Sequence, residues 1–144
     1  VELLAIPHID TEPDGMFGQR SINRLTEAID KMLSAGLLRS HPTDPKRGER
    51  YSKVVHPVTG LQVDLFSATA STWGLLFLIR TGPAEYSHQF VTDLRRRGLH
   101  AKTGELHRGG LGCGSYVCEV IPTPEEADVY RAAGWPFIRP ELRA

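Results

Sequence analysis

Apolar positions along this chain follow two periods, separated by clusters of turn-forming residues. The opening run, Val1-Glu2-Leu3-Leu4-Ala5-Ile6-Pro7, is a short apolar block ended by proline and predicts a buried strand. Residues 8–20 carry Pro, Asp and Gly and predict a loop. Ile22, Leu25, Ile29, Met32 and Leu33 then recur at helical spacing, with Ser21 suited to the N-cap and Gly36 to the C′ position. Residues 39–49 are rich in Pro, Lys and Arg and predict a second loop. Residues 51–56 and 61–66 flank Pro57-Val58-Thr59-Gly60, the pattern of a hairpin.

Residues 73–80 are too uniformly apolar for periodicity to separate helix from strand. Residues 84–97 predict a helix with Tyr86, Phe90, Val91 and Leu94 inward and Gly98 stopping it. Short β runs between Gly-rich turns, including Gly109-Gly110, fill residues 99–121, and 124–133 predict an acidic helix with Pro124 in its first turn. The fold class is α+β, with a boundary near Ala70: a sheet with a covering helix over 1–70, and a smaller α+β lobe over 71–144.

Composition narrows the function classes. A chain of 144 residues, 40% apolar and 24% charged, supports one domain with a modest core. Formal net charge is zero, so any nucleic-acid binding must come from a local basic patch. No apolar run reaches the length of a membrane span, so no membrane is expected. Nothing at the start resembles a signal peptide, and a chain that opens inside a strand-like run without Met predicts further residues upstream of Val1. Cys113 and Cys118, with four residues between them, do not make a zinc pair and read as two reduced thiols in an intracellular protein. Six histidines, at 8, 41, 56, 88, 100 and 107, show no metal-ligand spacing and read as surface or packing residues.

The candidate chemistry lies in two embedded carboxylates. Asp64, in Gly60-Leu61-Gln62-Val63-Asp64-Leu65-Phe66, and Glu2 each interrupt an apolar run. A buried carboxylate is costly unless it is paired, hydrogen-bonded or bound to a cation. Two such groups on separate strands would suit one hard ion such as Mg²⁺; strand ends that simply reach solvent are the plainer alternative. Two basic clusters stand out: Lys46, Arg47, Arg50 and Lys53 near the Asp64 hairpin, and Arg95-Arg96-Arg97 at a helix end. They would suit a phosphate backbone, or in the second case a solvated helix terminus that favours the dipole. Trp135 reads as core or tail packing.

Several of these segments, in order, resemble the family X DNA polymerases, the polymerase beta group of nucleotidyltransferases. They are Gly48-Glu49-Arg50-Tyr51-Ser52-Lys53-Val54, then Val63-Asp64-Leu65-Phe66, and Trp73-Gly74-Leu75-Leu76-Phe77-Leu78-Ile79-Arg80-Thr81-Gly82. Leu94-Arg95-Arg96-Arg97-Gly98-Leu99, Glu125-Glu126-Ala127-Asp128-Val129-Tyr130 and Gly134-Trp135-Pro136-Phe137-Ile138-Arg139-Pro140-Glu141-Leu142-Arg143 follow. The resemblance spans nearly the whole chain and favours a helix over 73–80. It implies a nucleotidyltransferase palm over 1–70 and a lobe that grips the nascent base pair over 71–144.

It further implies a monomeric DNA-directed DNA polymerase of repair or gap filling, which adds deoxynucleotides to a primer 3′ end. Its cofactor would be Mg²⁺ or Mn²⁺, its partners a DNA primer-template and a deoxynucleoside triphosphate. In the family, three carboxylates hold two metals. Asp64 matches the third and Glu2 the second, with Glu in place of the usual Asp; the first would lie immediately before Val1. Arg80, Thr81 and Gly82 match the turn under the nucleotide sugar, although Ile79 and Arg80 replace the family's two aromatics. Arg80 would reach a phosphate or a template base, or else snorkel at a helix end. The resemblance also implies a cis Gly82–Pro83 peptide bond. Lys46, Arg47, Lys53, Arg95, Arg96 and Arg97 are the expected DNA contacts. The alternatives are a degenerate, non-enzymatic DNA- or nucleotide-binding module and a template-independent nucleotidyltransferase.

Overall fold

The structure, a computed structural model, describes residues 1–109 and 118–143. It is a mixed α+β chain with several small sheets and, among the described residues, four α-helices. It divides into two compact units, Val1–Ser67 and Ala68–Ala144.

The first unit contains β1 (Glu2–Ala5), β2 (Ile9–Asp14), β3 (Gly18–Asn23), α1 (Arg24–Ser34), β4 (Arg39–Ser40), β5 (Lys46–Arg47), β6 (Tyr51–Val55) and β7 (Gln62–Ser67). The main sheet runs β1-β7-β6-β4, and β5 also pairs with β6. The hairpin expected of residues 51–56 and 61–66 forms, with β6 and β7 antiparallel. β1 lies parallel to β7 at the sheet edge, and Glu2 and Leu3 are exposed, so this strand is not the buried one that its apolar run suggests.

Residues 8–20 are not a loop: β2 and β3 make a hairpin of their own, turning at Gly15 with φ 68°. The reason is charge rather than apolar alternation. Asp10 and Glu12, two apart on β2 and so on one face, both pair with Arg24, the first residue of α1. That link joins the hairpin to the helix. The helix starts later than Ser21: Asn23 is the cap, its side chain accepting from the Thr26 N–H at 3.1 Å. Gly36 does take the left-handed conformation, at φ 72°. The second expected loop holds β4 and β5, two-residue strands defined only by their pairing to β6.

The second unit contains α2 (Trp73–Arg80), α3 (Ala84–Arg96), β8 (Leu99–Lys102), β9 (Glu105–Arg108), β10 (Glu119–Ile121) and α4 (Glu126–Ala133). β8, β9 and β10 form an antiparallel sheet in the order β10-β9-β8. Leu75 and Leu78 of α2, Phe90 and Leu94 of α3, and Val129 and Tyr130 of α4 build the core. Phe90 meets Tyr130 and Trp135 edge-on at 5.1 and 5.0 Å, so Trp135 is a packing residue. α4 begins two residues later than expected. Glu125 is its cap in a capping box with Asp128, and Pro124 stands outside the helix.

Gly74 marks where α2 meets the start of α4. A Cβ there would stand 2.2 Å from the Glu125 carbonyl oxygen and 2.8 Å from the Glu126 nitrogen, and both are backbone atoms that cannot swing away. Gly74→Ala is expected to lower stability by about 1–3 kcal/mol or more, read as a drop in urea midpoint at unchanged slope. A midpoint equal to wild type would mean that the two helices separate without cost.

Candidate active site

The two candidate carboxylates are brought together. β1 and β7 pair in a register that places Glu2 directly beside Asp64. Register partners on adjacent strands, about 4.8 Å apart, project from the same face. Asp64 is in turn opposite Lys53 on β6, and Lys53 opposite Lys46 on β5. One row across the sheet therefore reads Glu2, Asp64, Lys53, Lys46: two acids, then two bases. Arg47 belongs to the other face, bonded to Ser52 Oγ at 2.9 Å and to Asp30 and the Thr26 carbonyl of α1, each at 2.7 Å.

Two partners of Asp64 escaped the sequence reading. The Tyr51 hydroxyl donates to Asp64 Oδ1, and Gln62 Nε2 donates to Oδ2 at 2.6 Å. Both lie two positions from a member of the row, Tyr51 from Lys53 and Gln62 from Asp64, so strand periodicity places them on the same face. Tyr51 is further fixed by stacking on Phe66 at 4.7 Å. The Tyr51 hydrogen bond, aided by Gln62 and Lys53 and opposed by burial, holds the Asp64 carboxyl below its ordinary value, and the same contact raises the Tyr51 phenol.

A carboxyl whose pKa is lowered by folding adds stability that is present above the unfolded value and is lost as pH falls through the lowered one. Tyr51→Phe keeps the ring stack and deletes the donor. Asp64 is then expected to titrate closer to an ordinary carboxyl, and acid unfolding to begin at a higher pH. Carboxyl carbon NMR titration reads the first effect; an unmoved Asp64 titration would show that the tyrosine contact does not control it.

These donors leave room for a cation. An ionised carboxylate has about four lone-pair sites, and two on Asp64 are used. Oxygen donors from two adjacent acids suit a hard divalent ion, so the residues present fit Mg²⁺ or Mn²⁺.

The basic residues are less available than their sequence suggests. Lys53 and Lys46 both pair with Asp44, at 2.8 and 3.1 Å. In the second unit, Arg96 pairs with Asp93 at 2.7 Å. Arg97 donates to the Ala133 carbonyl at 2.9 Å and lies 5.0 Å over the Trp135 ring. Arg95 is exposed at the end of α3.

Arg80 is exposed at the last turn of α2, and Thr81 caps that helix by donating its hydroxyl to the Phe77 carbonyl at 2.7 Å. Gly82 has φ 109°, a conformation that needs glycine. The Gly82–Pro83 bond is trans, contrary to the cis bond that the family resemblance implies, so the turn departs from the family's geometry. What holds this turn is a buried guanidinium that the sequence reading did not single out: Arg143 Nη1 donates to Thr81 Oγ1 at 3.1 Å and to Glu126 Oε1 at 2.8 Å.

One further expectation changes. Cys118 is disulfide-bonded rather than a free thiol, while Cys113 lies outside the described residues. Among the described residues no helix is long and apolar enough to cross a membrane. No known family model matches the chain.

Proposed function

We propose that this chain carries part of the catalytic centre of a nucleotidyltransferase of the family X DNA polymerase type. In that reading Glu2 and Asp64 hold a divalent metal, the first unit corresponds to the palm, and the second to the lobe that grips the nascent base pair. The observation that carries it is the direct register of Glu2 with Asp64 on one sheet face. The metal would be Mg²⁺ or Mn²⁺, and when bound it would neutralise charge developing on transferring phosphoryl oxygens.

The chain's own residues then have defined tasks. Asp64, kept ionised by Tyr51 and Gln62, presents its remaining lone pairs beside Glu2. Lys53 and Lys46 extend the row with positive charge, oriented by Asp44, toward a DNA backbone. Thr81 and Gly82 offer a rigid turn for a nucleotide sugar, with Arg80 beside it. Arg95 is the exposed phosphate contact of its run, with Arg96 and Arg97 secondary because they already have partners.

A second reading has its own support. Both oxygens of Asp64 accept a hydrogen bond within the fold, and the trans bond after Gly82 departs from the family. A non-enzymatic DNA- or nucleotide-binding module would keep both features.

Mn²⁺ titration separates the two, with water-proton relaxation and electron paramagnetic resonance as readouts. The wild-type chain is expected to bind Mn²⁺, more tightly with a deoxynucleoside triphosphate present, and Glu2→Gln and Asp64→Asn are expected to abolish it. Binding that both variants leave intact would remove the metal-site reading.

A further inference from the structure

The β8–β9 hairpin carries a second cluster of ligands that is independent of the carboxylates. Its turn is Thr103-Gly104, both with positive φ, at 54° and 87°, the two-residue geometry that fixes strand register. That register sets His100 directly opposite His107. β10 continues the sheet with Val120 opposite His107, and Cys118 precedes Val120 by two residues, where the strand period returns to the same face. One ligand atom from each of His100, His107 and Cys118 lies within 4.8 Å of the other two.

The two imidazoles stack at 5.4 Å with 16° between their planes. His107 is 9% exposed, and neither of its ring nitrogens has a hydrogen-bond partner among the described residues. Glu105 Oε2 stands 3.2 Å from His107 Nε2 without the geometry of a hydrogen bond. Buried polar nitrogens without partners are costly and rare, and they call for an explanation. A shared cation supplies one.

We propose that His100, His107 and the thiolate of Cys118 bind a zinc-class divalent ion in the reduced protein. The ligand set decides the metal class. Imidazole and thiolate select borderline ions such as Zn²⁺ and disfavour Mg²⁺, so this site does not compete for the ion at Glu2 and Asp64. Three protein ligands leave a tetrahedral position for water, and Glu105 is a carboxylate beside the His107 ring that would orient it.

Cys118 is disulfide-bonded in this structure, and a disulfide sulfur has no thiolate to donate. Metal binding and the disulfide are therefore alternative states of one sheet. A dithiol reductant, itself oxidised to its disulfide, delivers two electrons and two protons to the two sulfurs and releases Cys118 as a thiol. The metal then displaces the thiol proton to solvent.

The test uses the full chain and Co²⁺ as a spectroscopic substitute for Zn²⁺. After reduction by a phosphine under anaerobic conditions, one equivalent of Co²⁺ is expected to give tetrahedral ligand-field bands and a thiolate-to-metal charge-transfer band, which Zn²⁺ removes. The oxidised chain should give neither. Cys118→Ser should lose the charge-transfer band, and His107→Ala should lose binding. Circular dichroism checks that the variants fold. Should His107→Ala unfold, His100→Gln, at a less buried position, decides alone, with an expected affinity loss of about 10–100-fold or more. A reduced, folded chain that binds no Co²⁺ overturns the proposal. So does an unchanged spectrum in Cys118→Ser, unchanged affinity in His100→Gln, or equal binding by the oxidised chain. None of these outcomes bears on the carboxylate site, whose Mn²⁺ binding is measured separately.

Discussion

Asp64→Ala is expected to abolish primer extension on gapped DNA, measured with Mg²⁺ or Mn²⁺ in a protein that includes the first carboxylate the family resemblance implies before Val1. Phosphoryl transfer asks little covalent chemistry of the protein; position and charge supply most of the rate. Removing one group that stabilises developing charge commonly costs on the order of 10²–10³ in rate, about 2.7–4 kcal/mol, and a metal ligand acts through the ion as well. The variant also frees the Tyr51 hydroxyl and the Gln62 amide that Asp64 now satisfies. Urea unfolding of the same protein therefore has to accompany the assay, so that lost activity is not mistaken for lost fold. Full extension by a folded Asp64→Ala protein would end the polymerase reading. A wild type that binds DNA and never extends a primer would leave the binding module in its place.

What the sequence revealed of this site follows from strand periodicity. The β6–β7 hairpin was legible because two strand-like runs flank the turn-forming Pro57-Val58-Thr59-Gly60; the register that sets Asp64 opposite Lys53 came from the structure. The pairing of Glu2 with Asp64 needed a parallel register between strands far apart in the chain, which no local pattern carries; there the resemblance supplied the expectation. Tyr51 and Gln62 were reachable, since each lies two positions from a residue already singled out. Attention to charged groups alone passed over a phenol and an amide.

The failures have physical causes as well. Residues 8–20 predict a loop because they carry Pro, Asp and Gly, and the sense of their acidic positions appears only when Arg24 folds back onto Asp10 and Glu12. β4 and β5 exist only because β6 offers them a partner. The proximity of His100 and His107 is not carried by spacing along the chain: it follows from the register of a hairpin that turns at Thr103-Gly104. The cis bond was drawn from the family, and the trans Gly82–Pro83 bond shows this turn held by different means.

Those means set the second large effect. Glu126→Ala is expected to destabilise the chain by about 3–5 kcal/mol, because it strands a buried charge. The Arg143 side chain is 0% exposed and that of Glu126 10%, with Nη1 and Oε1 2.8 Å apart. Burial opposes the Arg143 charge, but the bond and attraction of Glu126 outweigh it and hold the guanidinium more firmly protonated than an ordinary arginine. Without Glu126 it retains the Ile138 carbonyl, at 2.9 and 3.2 Å, the Thr81 oxygens, and the faces of Tyr86 and Tyr130 at 5.7 and 5.9 Å. None of these carries negative charge, so the desolvated cation loses its only counter-ion in that set. Replacing both partners, Glu126→Leu with Arg143→Met, removes the charges together and is expected to cost less than the single change, the sign that separates stranded charge from lost packing. The Thr81-Gly82 turn should loosen in both variants, because Thr81 is tied to α4 through Glu126, both by its own hydroxyl and through Arg143. Urea unfolding followed by tryptophan fluorescence reads the energies, with Trp135 reporting on this unit's core. A Glu126→Ala protein within about 0.5 kcal/mol of wild type, the range of an ordinary surface substitution, would show that the pair contributes nothing to the fold.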